Sequence, residues 1–235
     1  MSNYHYSHRV LMYLCACFII VAVGANRHSD TPRISHLQKA SGNGGFAWVA
    51  ESAIPLHQDL NSETDRFELG FSDSESKSFH GHHIYSCRLL PGEDTSCLNL
   101  YQPQKPHILG VTNDFIQRGG FQFHQQIEKR KNPWELLNQN IEEGVVPVIG
   151  DYNSVLWILH LGLGKDLIIQ NESGQELRLR FVGLLQSSIF QSELLMSETN
   201  FTKHFSSQSG YGYFLIQTPN SNRNVEKLPT FWRKN

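Results

Sequence analysis

The stretch His80-Gly81-His82-His83 carries the residues best suited to metal chemistry in this chain. If it is extended, His80 and His82 point to one side and His83 to the other, with Asp73 and Glu75 close enough in sequence to complete a ligand set. The spacing is neither that of the HExxH zinc helix nor that of a structural zinc module, and it abuts an acidic, serine-rich run. It reads as a solvated histidine cluster, and no metal is expected.

Nucleophilic chemistry finds no better footing. There is no G-x-S-x-G elbow. Ser154 lies just after Asp151, but a serine at the start of a predicted helix belongs more simply to its first turn. Cys97 has no base that the sequence singles out. Gly42 to Gly45 lacks the lysine of a phosphate loop and precedes the first strand instead of following one. Glu142 and Glu143 read as a polar turn and Asp59 and Asp65 as solvated carboxylates, with no cleft to pair them for glycoside chemistry. Neither a catalytic group nor a cofactor site is expected. The glycosylation patterns Asn171-Glu-Ser173 and Asn200-Phe-Thr202 are too short to support a conclusion.

The 235 residues carry a formal net charge of -2, so nothing points to nucleic acid. The one dense basic patch, Glu128 to Lys131, reads as a solvated loop. Four cysteines divide into two pairs: Cys15 and Cys17 lie in an apolar run, while Cys87 and Cys97 bracket a turn-rich stretch. The second pair reads as a disulfide or as free thiols, the former permissible if this part of the chain is exported.

The apolar run from Val10 to Ala25 decides that question of export. It falls short of the roughly 20 residues that span a bilayer comfortably and slightly exceeds a signal-peptide core of about 7 to 15. It reads as the end of a transmembrane helix or as a signal-like segment with Val23-Gly24-Ala25 as its cleavage site. Either way, the remainder is expected on the far side of a membrane. The third reading, a buried helix of a cytosolic protein, suits the run less well, because Ile19 to Val23 leave no polar face.

These segments organise the rest. Residues 1–27 are expected as a transmembrane helix end or a signal-like segment, 28–45 as a juxtamembrane linker rich in glycine, 46–218 as an extracytoplasmic domain, and 219–235 as a polar tail of a domain cut short. Within the domain, strands are predicted over 46–52, 84–90, 98–102, 107–111, 145–150, 165–170, 175–185, 194–196 and 211–217. Short helices are predicted over 55–60, 114–118, 132–138, 154–161 and 198–205, and a surface loop over 61–77. Asp151 or Asn153 caps the helix at 154, and Gly162 and Gly164 stop it. In the strand at 175–185, Leu177, Leu179 and Phe181 alternate with Glu176, Arg178 and Arg180, so one face is buried and the other wet. The order of elements fits an α+β domain on a mixed or antiparallel sheet with short helices, preceded by one membrane-associated helix.

Several blocks taken together carry a resemblance. They are residues 15–27, 44–61, 87–110, 132–138, 148–167, 181–201 and 210–216, including Val148-IGDYNSVLWILHLGLGKD-Leu167. In combination they resemble the outward-facing domain of bacterial ABC transporter permeases of the FtsX-like and MacB-like superfamily, from about Arg9 to Ile216. The resemblance implies a MacB-like periplasmic core in a bacterial cytoplasmic membrane, facing the periplasm or exterior. It also implies an ABC ATPase as a separate partner, reached through cytoplasmic parts missing from this chain, which is then a fragment of such a permease or the product of a gene truncated at both ends. A second permease copy and a periplasmic partner follow as further partners. The domain would relay the ATPase cycle without chemistry of its own.

On that reading Cys87 and Cys97 form a structural bridge, and Asp151, Asn153, Gly162 and Gly164 hold helix termini in the core unit. Ile189 and Phe190, which interrupt a polar stretch, are candidates for partner contact, inward packing of both being the plainer reading. Two other classes remain as alternatives: a secreted or periplasmic ligand-binding protein, cleaved after Ala25, and a secreted hydrolase, which would need a cleft with a perturbed acid or nucleophile.

Overall fold

The computed structural model describes residues 38–92, 106–191 and 193–219. Among the described residues nine strands form one mixed sheet: β1 (Trp48–Leu56), β2 (His83–Leu90), β3 (His107–Val111), β4 (Phe123–Gln126), β5 (Val145–Asp151), β6 (Asp166–Gln170), β7 (Glu176–Leu185), β8 (Glu193–Ser197) and β9 (Tyr211–Gln217). Their order is β1-β9-β2-β3-β8-β5-β7-β4, with β6 also on β7. β3 with β8 and β5 with β7 are parallel, and the other pairs are antiparallel. β6 pairs with Glu176 to Arg180 of β7, and β4 with Gly183 to Leu185, so one long strand carries two short ones end to end.

Both faces of the central strands are covered, which explains their unbroken apolar composition. One core gathers Leu109, Val111, Ile149, Leu195 and Leu215 with Phe46, Phe115, Phe121 and Trp134. The other gathers Ile108, Val146, Val148, Leu194 and Met196 with Val155, Phe201 and Phe205. A third, smaller core lies at the β1 side, around Leu60, Phe79, Ile84, Phe214 and Ile216. β7 serves the two large cores through a bulge. Its partner register shifts between Val148 and Ile149, and Val182 and Leu185 join the first core while Phe181 and Leu184 stay in the second. Pro147 is tolerated inside β5 because β8 pairs only with Ile149 and Gly150, leaving no partner strand on that side of Pro147.

Helices α1 (Glu63–Glu68) and α2 (Asp73–Lys77) occupy the stretch expected to be a surface loop. Ser62 accepts from the Asp65 N–H, and Ser72 and Glu75 form a reciprocal capping box. Arg66 ties the two together from a buried position, donating to Ser76 Oγ at 2.9 Å and to the Leu60 carbonyl at 2.8 Å. Helices α3 (Asn113–Arg118) and α4 (Glu198–His204) and a 3-10 turn (Pro133–Asn138) complete the covering layers. Residues 38–45, read as linker, form turns packed on the domain: Ile189 N–H donates to the Gly42 carbonyl, and Phe121 N–H to that of Lys39.

The mixed α+β sheet stands, but two expectations attached to it are corrected. Among the described residues no helix is long and apolar enough to cross a membrane. The longest of them, α4, has 7 residues, where a span needs roughly 20. The run from Val10 to Ala25 lies outside the described residues. The described residues thus contain no membrane-associated helix, and neither that helix nor the placement in a bacterial cytoplasmic membrane that depended on it has support in the structure.

Candidate functional site

The end of β5 brings together more of the singled-out residues than any other place. Gly150 comes first, and its lack of a side chain is a packing requirement: a Cβ there would stand 2.7 Å from Val155 Cγ2. This close approach seats the turn Ser154–Ile158, whose hydrogen bonds are of the wide π type, with Leu159 N–H donating to the Ser154 carbonyl at 3.1 Å.

Asp151 follows, with 1% of its surface exposed. One carboxylate oxygen accepts from the Asn153 N–H at 3.0 Å and, more weakly, from the Ser154 N–H at 3.5 Å. The other accepts from the Ser188 N–H at 2.7 Å and the Ser188 hydroxyl at 3.0 Å. Asn153 makes no side-chain cap. The Ser154 hydroxyl donates to the Gln191 carbonyl, not to Asp151. A serine and a carboxylate that look paired in sequence thus serve separate structural bonds, and the carboxylate has no free lone pair aimed at an open site.

The turn ends sooner than its glycines suggest. His160 takes the left-handed conformation at φ 54°, and Leu161 N–H closes onto the Val155 carbonyl at 3.0 Å. Gly162 lies beyond this stop, and Gly164 (φ 74°) instead starts the next hairpin, donating to the Phe181 carbonyl at 2.8 Å. What the turn presents is apolar: Trp157 is 70% exposed and Ile158 is 38% exposed. Its outgoing end, with β6, lines a groove of about 840 Å³ walled by Leu90, Ile108, Leu161, Ile169 and Phe205.

The remaining candidates are dispersed. Phe190 is fully buried, its ring 5.2 Å from Phe121, so it serves the first core and offers no contact surface. Ile189 is partly buried against the same cluster. Cys87 is a free thiol buried in β2, and Cys97 lies outside the described residues. Burial, and secondarily the charge of Glu198, push the Cys87 thiol far above its ordinary range, so it is no nucleophile. His83 bonds Asp114 at 2.9 Å, while His82 turns its Nδ1 to the His80 carbonyl. Among the described residues no three His, Cys, Asp or Glu are grouped to hold a metal.

An ion-pair network at β6 and β7 escaped the sequence reading. Asp166 accepts from Arg180 Nε at 2.7 Å and Arg178 Nε at 3.0 Å, and Arg180 also pairs with Glu142. Hydrogen bonding by Arg180 holds the Asp166 carboxyl below its usual range. The alternation in β7 marked the arginines as wet, and residues 165–170 and 175–185 read as the arms of a hairpin about the turn 171–174; the observed register, Asp166 opposite Arg180, puts the carboxylate among them.

Among solved structures, two are similar to this chain at low identity. The extracellular domain of the noncanonical ABC-type transporter YknZ from Gram-positive bacteria matches at 11% identity and a TM-score of 0.38, covering 76% of this chain and 85% of its own. The periplasmic region of MacB from Actinobacillus actinomycetemcomitans matches at 13% identity and a TM-score of 0.34, covering 75% of this chain and 76% of its own. No family model and no curated relative matches.

Proposed function

We propose that the domain is a non-catalytic contact module of an ABC-transporter assembly, relaying the cycle of a separate ATPase subunit to a partner or substrate. The observation that carries this reading is the outward Trp157 and Ile158, large apolar side chains held in solvent on a turn pinned by a fully bonded buried carboxylate. Exposed aromatic side chains on a fixed base suit a binding hot spot, because little order remains to be imposed on contact. The permease-like blocks of the sequence supply the kind of assembly, and the 148–167 block contains this turn.

The test places a photo-crosslinking amino acid at position 157 of the full chain in its native host, with position 67 as control, since Phe67 is equally exposed on α1. Crosslinks to a subunit of an ABC transporter from position 157 alone, lost on addition of Ile158→Asp, are expected. Hydrolysis of an ester, peptide or glycoside panel by the purified chain, abolished by Asp151→Asn with the fold intact, would overturn the reading.

A further inference from the structure

Three buried polar atoms among the described residues have no hydrogen-bonding partner: Trp48 Nε1, His82 Nε2 and Thr218 Oγ1. They come from distant points in the chain, but the sheet register brings them to one place. β9 pairs Ile216 with Trp48 of β1 and with Ile84 of β2, and Gln217 with His83. One step further along the same antiparallel register sets Thr218 opposite His82. The approach of Pro219 to within 3.3 Å of where a Gly81 Cβ would stand shows that β2 and β9 still run side by side there.

Facing follows from alternation. Ile216 belongs to the third core, with Trp48 packed on it, whereas Gln217 turns the other way to accept from Arg118 Nε. Thr218, two residues after Ile216, therefore returns to the face of Trp48, and it is only 6% exposed. Trp48, directly opposite Ile216, is the diagonal neighbour of Thr218, within reach of a long side chain.

The chemistry of the three atoms is complementary. Trp48 Nε1 only donates, and the threonine hydroxyl does either. The His82 Nδ1 lies 3.2 Å from the His80 carbonyl, which only accepts; that contact assigns Nδ1 as the donor, and in the Nδ1–H tautomer Nε2 accepts. We infer that these three side chains form an internal binding site for one small neutral molecule that both donates and accepts, namely an ordered water. It accepts from Trp48, donates to His82 and bonds Thr218, the three contacts usual for a buried water. The site pins the last strand where the chain leaves the sheet.

Thr218→Val decides the matter by sign. Valine matches threonine in shape and removes only the hydroxyl, so it deletes one bond of a water-filled site but relieves an unpaired group in a dry one. On the full chain, a urea midpoint that falls with Thr218→Val and is restored by Thr218→Ser is the expected result. A midpoint that rises or does not move would overturn the inference. A crystal structure supplies the second reading: one density peak at hydrogen-bonding distance from all three atoms is expected, and a dry site or side chains bonded directly to each other would also overturn it.

Discussion

Removing the carboxylate of Asp151 is the sharpest test of the structural role assigned to it. Asp151→Ala strands three well-placed donors, at 2.7, 3.0 and 3.0 Å, in a site with 1% exposure. Hydrogen bonds to a charged group contribute about 1.5–3 kcal/mol each, but they are not additive, and loss of a buried charged partner typically costs about 3–5 kcal/mol. The expected cost is therefore about 4 kcal/mol. With a urea slope near 2 kcal/mol/M, that lowers the unfolding midpoint by about 2 M. Ser188→Ala deletes only the hydroxyl bond and costs about 1 kcal/mol, since the Ser188 N–H bond remains. Asp151→Asn falls between the two, because its amide nitrogen must face one of the two donor pairs. Urea unfolding followed by far-UV circular dichroism gives these values. Acrylamide quenching of tryptophan fluorescence, compared with and without Trp157→Phe, reports whether the 154–158 turn has loosened. An Asp151→Ala midpoint within about 0.5 M of the parent chain would refute the claim that this carboxylate pins the turn.

Three further outcomes follow from the same structure. The Asp166 carboxyl is held below its ordinary value by Arg180 and Arg178, so the stability it contributes is full above the unfolded value of 3.8 and is lost as pH falls through the depressed folded value. The difference in unfolding midpoint between the parent chain and Asp166→Asn should be constant from about pH 5 to 7 and shrink below about pH 4. Gly110→Ala puts a Cβ 2.7 Å from Phe201 Cγ and should cost about 1–3 kcal/mol in urea unfolding, with partial recovery when Phe201→Leu is added. Cys87, buried with its thiol pushed up in pKa, should resist a thiol reagent in the native chain and react only on unfolding; mass mapping of the labelled peptide checks this.

The central sheet was legible where patterns are strong. The alternation of Leu177, Leu179 and Phe181 against Glu176, Arg178 and Arg180 marks a half-buried arm, and the structure buries the first set. After Phe181 the sequence is apolar throughout, and there the bulge at Val182 and Gly183 cannot be read, because two covered faces erase the alternation that would reveal a shifted register. The two helices in 61–77 were missed for a different reason. Their signals are the spacings Ser62 to Asp65 and Ser72 to Glu75, capping signatures that a serine-rich composition hides. β1 continues to Leu56 in place of the short helix expected at 55–60, because β9 supplies a partner as far as Tyr211. β4 was not foreseen, since Phe123 to Gln126 is one apolar residue among polar ones and becomes a strand only by pairing with β7. Phe190, which interrupts a polar stretch and was open to either partner contact or inward packing, packs inward: Ser187, at φ 46°, turns the chain ahead of it and its ring enters the core.

Asp151 also explains why a carboxylate occupies a position that composition alone would assign to an apolar residue. Along β5, Val146 and Val148 face the second core, Gly150 faces Val155 and Phe181 of that core, and Ile149 faces the first. By the same alternation Asp151 shares the side of Ile149, toward Ser188 and Phe190. Its partners divide accordingly: Asn153 and Ser154 begin the turn whose Val155 and Leu159 cover the second core, while Ser188 belongs to the loop that delivers Phe190 to the first. A leucine there would bury comparable area but would leave N–H groups on both sides unpaired. The buried charge thus fixes the relative position of two loops that close opposite faces of the sheet, a gain in specificity of structure. Because both of its oxygens are used in doing so, the same geometry by which Asp151 ties the two loops together keeps it from acting as a general base.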